Sequence, residues 1–300
     1  MEIRDKLQRI EKNTMVHLKD FQLATVERID ELFCQGQKRI LVADEVGLGK
    51  TLIARGVIAK TAVRHEKAGN DIFKIVYICS NQVIANQNIR KLDVFNIRPD
   101  RSDNDARLSM QHLRIAEQDN QTKQKGAFAQ LIPLTPGTSF SMTNGGGTKD
   151  ERALMYVILK RIPALSRFSG EIGRFMSFNV NYWKETIDWY EKRVQTLANE
   201  GTGYPDNVIR DIIRFDSHYH IFNTLIQHIE EIRHREELTE SHNSVLMKLR
   251  RMFAEISVDM LKPDLVIMDE FQRFKYLIDS EALATETGVI AKKLFATENL

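Results

Sequence analysis

The chain has 300 residues, of which 42% are hydrophobic and 28% charged, the proportions of a soluble globular protein with apolar mass for a full core and about two domains. Its 43 Lys and Arg stand against 41 Asp and Glu, a formal net charge of +2; this excludes a strong overall field for nucleic acid but leaves room for a local basic stripe. No run nears the ~20 apolar residues of a membrane span, the charged start MEIRDKLQRIEKN has no apolar signal core, and Cys34 and Cys79 alone make neither a disulfide framework nor a zinc site, so the expected compartment is the reducing cytoplasm.

Residues 18–33, LKDFQLATVERIDELF, place Phe21 and Gln22 just before an amphipathic helix marked by Val26, Ile29, Leu32 and Phe33. A glutamine there offers both a donor and an acceptor to the edge of an adenine, although most exposed glutamines do nothing specific. KRILVA (38–43) reads as a short apolar strand, and TLIARGVIAKTAV after Lys50 carries Leu52, Ile53, Val57 and Ile58 at helical spacing. Between them lies ADEVGLGKT (43–51). Gly47 and Gly49 let backbone amides curl around phosphate oxygens at the positive end of a helix, with Lys50 reaching the β- and γ-phosphates and the Thr51 hydroxyl meeting Mg²⁺. Asp44 occupies the position where the common phosphate-loop pattern has its first glycine. A glycine-rich strand–helix turn with a passing Lys-Thr is the competing reading.

KIVYICSNQVIANQNIRKL (74–92) fits a strand and a helix. The polar stretch 98–126 reads as a helix between solvated linkers. LIPLTPGTSF (131–140) is either a buried strand with a Pro-Gly turn, the favoured reading, or a loop offering Thr138 and Ser139 to phosphates. SMTNGGGTKD (141–150) reads as a flexible glycine-rich linker.

From 151 to 262 the period is helical. Trp183, Ile187, Tyr190, Val194 and Leu197 form one stripe; Ile212, Phe215, Tyr219 and Phe222 begin another, followed by Leu225, Ile229 and Ile232; Leu246, Leu249, Phe253, Ile256 and Met260 form a third. GTGYPDN (201–207) breaks two helices. KRIPALSRFSGEIGRF (160–175) interleaves four basic residues with Phe168 and Phe175, as a nucleic-acid track would, but a solvated face over buried aromatics is favoured. His218, His220, His228, His234 and His242 lack metal-helix spacing and read as scattered surface or capping residues.

LKPDLVIMDEFQRF (261–274) supplies the second half of a nucleotide site. Leu265–Met268 form a buried-strand run, and Asp269-Glu270 fall at its carboxyl end, where open α/β sheets bind ligands. Asp269 there would hold Mg²⁺, and Glu270 would polarise the attacking water.

These pieces together resemble the superfamily 2 helicase-type ATPases, nearest to their Swi/Snf-like branch. That branch carries D-E-x-G-L-G-K-T, matched by residues 44–51, an upstream aromatic-Gln pair, matched by Phe21-Gln22, and an acidic D-E-x-Q motif, matched by Asp269 to Gln272. The resemblance implies an α/β, RecA-like lobe with a parallel sheet, made of residues 1–150 and 263–300 and interrupted by a helical insertion at 151–262, since far more chain separates Lys50 from Asp269 than one lobe needs. It implies ATP and Mg²⁺ as cofactors. Phe21, Gln22, Val46, Gly47, Leu48, Gly49, Lys50 and Thr51 would bind nucleotide, Thr51 and Asp269 the metal, and Lys50, Asp269 and Glu270 would be catalytic. Ser80 and Asn81 would touch a nucleic-acid backbone, with duplex DNA favoured over RNA. A second RecA-like lobe with an arginine finger is expected beyond residue 300, so residues 1–300 alone should hydrolyse weakly. The setting by analogy is a bacterial or viral DNA-processing or defence system. A nucleotide-dependent regulatory switch, docking protein partners through the insertion, is the alternative.

Overall fold

The structure, a computed structural model, describes residues 3–43, 47–97, 107–139, 146–232, 240–273 and 286–295. In chain order the elements are α1 (Ile3–Val16), α2 (Asp20–Cys34), α3 (Lys50–Lys67), β1 (Phe73–Ile78), α4 (Gln82–Leu92), α5 (Leu108–Lys125), β2 (Ala129–Leu134) and the short α6 (Pro136–Ser139). There follow α7 (Lys149–Leu159), α8 (Pro163–Ser166), α9 (Ser169–Ser177), α10 (Trp183–Asn199), α11 (Asp206–Tyr219), α12 (Ile221–Ile232), α13 (Glu240–Leu261), β3 (Leu265–Met268) and α14 (Glu286–Phe295). The fold is α/β. Among the described residues no helix is long and apolar enough to cross a membrane.

The three strands form one parallel sheet in the order β2-β1-β3, with Ile78 opposite both Leu134 and Met268. Both faces are covered, which is why each strand is a near-continuous apolar run. Side chains alternate between the faces as the strand period demands. Phe73, Ile75 and Tyr77 of β1, with Ala129, Leu131 and Leu265, enter a core shared with α1 to α4. Val76 and Ile78, with Ile132 and Leu134, enter a second core against α5, α13 and α14. On the first face α3 lies close over α2, because Gly56 presents no side chain: a Cβ there would stand 2.7 Å from Val26 Cγ2.

The strand expected at 38–43 is corrected. Ile40 and Val42 pack on the first core while Leu41 is 76% exposed, so the alternation is present. The segment nevertheless lies outside the sheet. Alternating polarity orients side chains, but it does not supply ladder hydrogen bonds, and 38–43 makes none with β1, β2 or β3.

The helix expected within 98–126 is present as α5, and its first half is interior. Every residue of α5 from Leu108 to Ala116 is buried, polar ones included. Partners from elsewhere in the chain meet some of its polar atoms: Ser109 Oγ donates to Glu151 at 2.6 Å, and His112 Nδ1 meets Tyr204 Oη at 3.0 Å. The Ser257 hydroxyl accepts from the His112 backbone N–H at 2.9 Å. α5 and α13 each carry one face into the sheet core and another into the helical core. That helical core contains Tyr190, Val194 and Leu197, then Ile212, Phe222, Leu225 and Ile229, then Leu246, Leu249, Phe253 and Ile256, as the stripes require. Tyr219 departs and is exposed, because His220, with φ 52°, ends α11 and breaks the phase before α12.

The described end of the glycine-rich segment is packed, not a loose linker. Arg152 donates from Nε to the Gly146 carbonyl and from a terminal nitrogen to Phe178 O at 2.9 Å, and Thr148 caps α7 against Glu151. In 160–175, Lys160 and Arg161 pair with Glu191; burial pushes that carboxyl up, but the two cations outweigh it and hold it low. His228 and His242 are interior, packed edge-on and tilted against Phe175, rather than on the surface, while His234 lies outside the described residues.

Candidate nucleotide site

α3 begins at Lys50, directly after Gly49, which sits at φ +81° in the left-handed region. The Gly49 carbonyl accepts from Leu52 N at 2.7 Å and Ile53 N at 3.2 Å, so the helix opens tightly on the glycine. A side chain at Gly49 would be strained by the backbone and would meet Gln22 Nε2 at 2.6 Å. Gly47 and Leu48 are exposed, as is Lys50, and Thr51 is half-buried behind them. This is the positive end of an 18-residue helix. Asp44, Glu45 and Val46 lie outside the described residues.

Gln22 is buried under this loop. Its Oε1 accepts from the Lys19 backbone N–H at 3.0 Å, closing the N-terminus of α2, and its Nε2 donates to the Leu48 carbonyl at 2.9 Å. The glutamine thus ties α2 to the glycine loop that precedes α3. Phe21, one residue before it, is exposed.

The direction of α3 places its start. Near its end, His65 Nε2 meets Ile72 O at 2.9 Å and His65 Nδ1 lies 3.6 Å from Asp264, and both of these partners precede a strand. The end of α3 is therefore at the edge where β1 and β3 begin. Its start lies toward the edge where they finish.

At that finishing edge the acidic pair is held by β1 (Ile78 and Met268 being in register). Asp269 N donates to Ile78 O at 2.8 Å, one step beyond the ladder. Tyr77 Oη donates to Asp269 Oδ2 at 2.7 Å, and Asn88 Nδ2 of α4 donates to Tyr77 Oη at 2.9 Å and lies 3.4 Å from the same Asp269 oxygen. Burial pushes the Tyr77 phenol well above its ordinary range, with Asp269 adding to it against the Asn88 contact, so it remains a donor. Burial likewise pushes the Cys79 thiol up and keeps it neutral.

Glu270 has φ 54°, unusual for a side chain with a Cβ and the kind of local strain found at functional sites. Its Oε2 accepts from Ser80 Oγ at 2.7 Å and pairs with Arg273 Nε at 3.2 Å. Asn81, next to Ser80, caps α4 by accepting from Val83 N at 2.7 Å. Ser139 is buried, its hydroxyl accepting from Thr135 N at 3.0 Å, which agrees with the buried-strand reading of 131–140. Nothing is described of the Thr138 side chain.

The sequence reading missed Tyr77 and Asn88 as holders of Asp269, and it read Ser80 only as a phosphate contact. The available signal for Tyr77 was a polar-tipped ring inside the apolar run KIVYI, one residue before the strand's end. For Asn88 there was none.

The residues present fit MgATP. Among the described residues no cluster of three His, Cys, Asp or Glu side chains could hold a metal alone. Mg²⁺, however, characteristically takes one or two protein oxygens together with substrate phosphates, and Thr51 with Asp269 are oxygen donors of that kind. Gly47 and Gly49, at φ 92° and 81°, give the loop a backbone conformation that glycine adopts readily and that a phosphate cradle uses.

No curated protein and no solved structure matches the chain. Residues 15–132, which carry the phosphate loop, β1, α4, α5 and most of β2, match the family model of the type III restriction enzyme res subunit, a superfamily 2 helicase-type ATPase domain.

Proposed function

We propose that the chain is the ATP-binding lobe of a nucleic-acid-dependent ATPase that couples MgATP hydrolysis to movement on, or remodelling of, duplex DNA. The observation that carries this reading is the pairing of a helix-starting phosphate loop with Asp269-Glu270 at the finishing edge of the same parallel sheet. The family match over 15–132 supports the helicase-type class. The sequences DEVGLGKT and DEFQ favour the Swi/Snf-like branch within it, and residues 151–262 are read as an insertion into the lobe.

In this reading the Gly47–Gly49 amides and Lys50 hold the β- and γ-phosphates, and Thr51 and Asp269 hold Mg²⁺. The metal, when bound, neutralises phosphate charge. Tyr77 and Asn88 fix the direction of the Asp269 carboxylate. Glu270 orients water and accepts its proton. Phe21 faces the base, and Gln22, while bracing the loop, offers its remaining amide hydrogen to the adenine edge. Ser80 and Asn81 face the nucleic-acid backbone.

The test is ATP turnover with and without duplex DNA, single-stranded DNA and RNA. Duplex DNA is expected to stimulate the parent most. Glu270→Gln should lose on the order of 10²–10⁴ of the stimulated rate, the usual worth of a general base, while still binding MgATP. Turnover of bound ATP at one rate, whatever nucleic acid is added, would instead describe a nucleotide-dependent switch.

A further inference from the structure

Ser80 and Glu270 are 190 positions apart in sequence, yet the parallel register of β1 and β3 brings their side chains to 2.7 Å. Ser80 is half-buried, facing Glu270 on one side, and opens the loop to α4, where Asn81, Val83 and Ile84 are exposed. A serine hydroxyl carries one hydrogen. While Ser80 donates to Glu270 Oε2 it cannot donate to a phosphate oxygen, and the converse holds. The same oxygen is also paired with Arg273. With a hydroxyl and a guanidinium on Oε2 that oxygen is taken and the carboxylate is held in one orientation, leaving only Oε1 to meet water.

We propose that Ser80 is a positioning residue that restrains Glu270 in the absence of nucleic acid, and that a backbone phosphate arriving at the β1–α4 loop takes over the Ser80 hydrogen and releases the carboxylate. This rests on reading the site as a nucleic-acid-dependent ATPase, and supplies the link by which nucleic acid would raise turnover. The exchange is one of hydrogen bonds only: the Ser80 hydrogen changes acceptor and Glu270 turns toward water.

Two measurements on the full chain test it. Ser80→Ala should raise ATP turnover without nucleic acid and shrink the stimulation by short blunt duplex DNA, both severalfold, and Ser80→Thr, which keeps the hydroxyl, should restore both. A hydroxyl that merely stabilised the loop, or that aimed Glu270 productively, would make Ser80→Ala lower turnover in both conditions, and that result overturns the proposal.

The second measurement is independent of catalysis. Glu270→Ala should tighten binding of the same duplex, read by fluorescence anisotropy, about fivefold more in the parent than in the Ser80→Ala background, the worth of one hydrogen bond no longer diverted. The comparison cancels the general effect of removing a negative charge and of freeing Arg273. Equal tightening in both backgrounds overturns the proposal while leaving the ATPase reading intact. A parent chain that binds no nucleic acid overturns both.

Discussion

Glu151→Ala should lower the unfolding free energy by about 3–5 kcal/mol, the usual consequence of leaving a buried charge without its partner. Glu151 and Arg250 are both without side-chain exposure, paired at 3.1 Å. The carboxylate serves four donors at once: Arg250 Nε and Ser109 Oγ on Oε1, the Thr148 backbone N–H at 2.8 Å and Arg107 Nε at 3.4 Å on Oε2. It therefore locks the start of α7 to α5 and α13, the helices that join the bundle to the sheet. Alanine would remove the carboxylate that faces the Arg250 guanidinium and leave a cap donor and a hydroxyl short of an acceptor. Glu151→Gln keeps acceptor oxygen but no charge and should fall between. The control is Glu31→Ala, which breaks the Arg28–Glu31 pair on the surface, where both side chains are more than 60% exposed; its effect should be at most about 1 kcal/mol. Urea denaturation of the three variants checks this ordering. A Glu151→Ala shift no larger than that of Glu31→Ala would contradict it.

Acid should weaken the fold through its interior histidines. His112 lies between Tyr204 and Phe253, and burial pulls it down to about 3, with Arg193 adding to the effect against a backbone contact from Ser109. His242 lies against Phe175 and His228, and burial, then His228 and Arg152, pull it down to about 4, with a Phe175 backbone contact opposing. Unfolded histidine titrates near pH 6.5. Between that value and the two depressed ones the unfolded chain binds more protons than the folded chain, so stability rises with pH across this window. It is complete above about pH 7 and lost progressively from about 6.5 down to about 4. At about 1.4 kcal/mol per unit per group, the loss between pH 6.5 and 4.5 is on the order of 4–5 kcal/mol, a large part of the ~5–15 kcal/mol that holds a domain folded. Urea midpoints at pH 7.5 and 5.0 measure it. His112→Gln or His242→Leu should each remove about half of the difference, whereas a difference unchanged in both variants would contradict the assignment.

What the sequence made legible was local. The glycine-led start of α3, the strand and helix of 74–92, the strand ending before Asp269-Glu270 and the three apolar stripes each declare themselves within a window of a few turns. The failures share one cause, that partners lie far away in the chain. The helix within 98–126 was legible but its burial was not, because Glu151, Tyr204 and Ser257, which receive α5, come from elsewhere. KRILVA has a strand's alternation, but alternation carries no information on whether a neighbouring strand pairs with it. Gln22 could be placed beside the nucleotide loop by pattern, but not its amide turned inward onto Leu48 O. The hydrogen bonds from Tyr77 and Ser80 to Asp269 and Glu270 exist only because β1 and β3 run parallel and in one register, and no periodicity carries that information.

The central claim is that Gly47–Thr51 bind the phosphates of a nucleotide, and calorimetry with MgATP on the full chain tests it most directly. The account predicts saturable binding by the parent, retained in Glu270→Gln and abolished in Lys50→Ala, with MgADP also bound. A Lys50→Ala chain that binds MgATP as tightly as the parent, or a folded parent that binds no nucleotide, would contradict it.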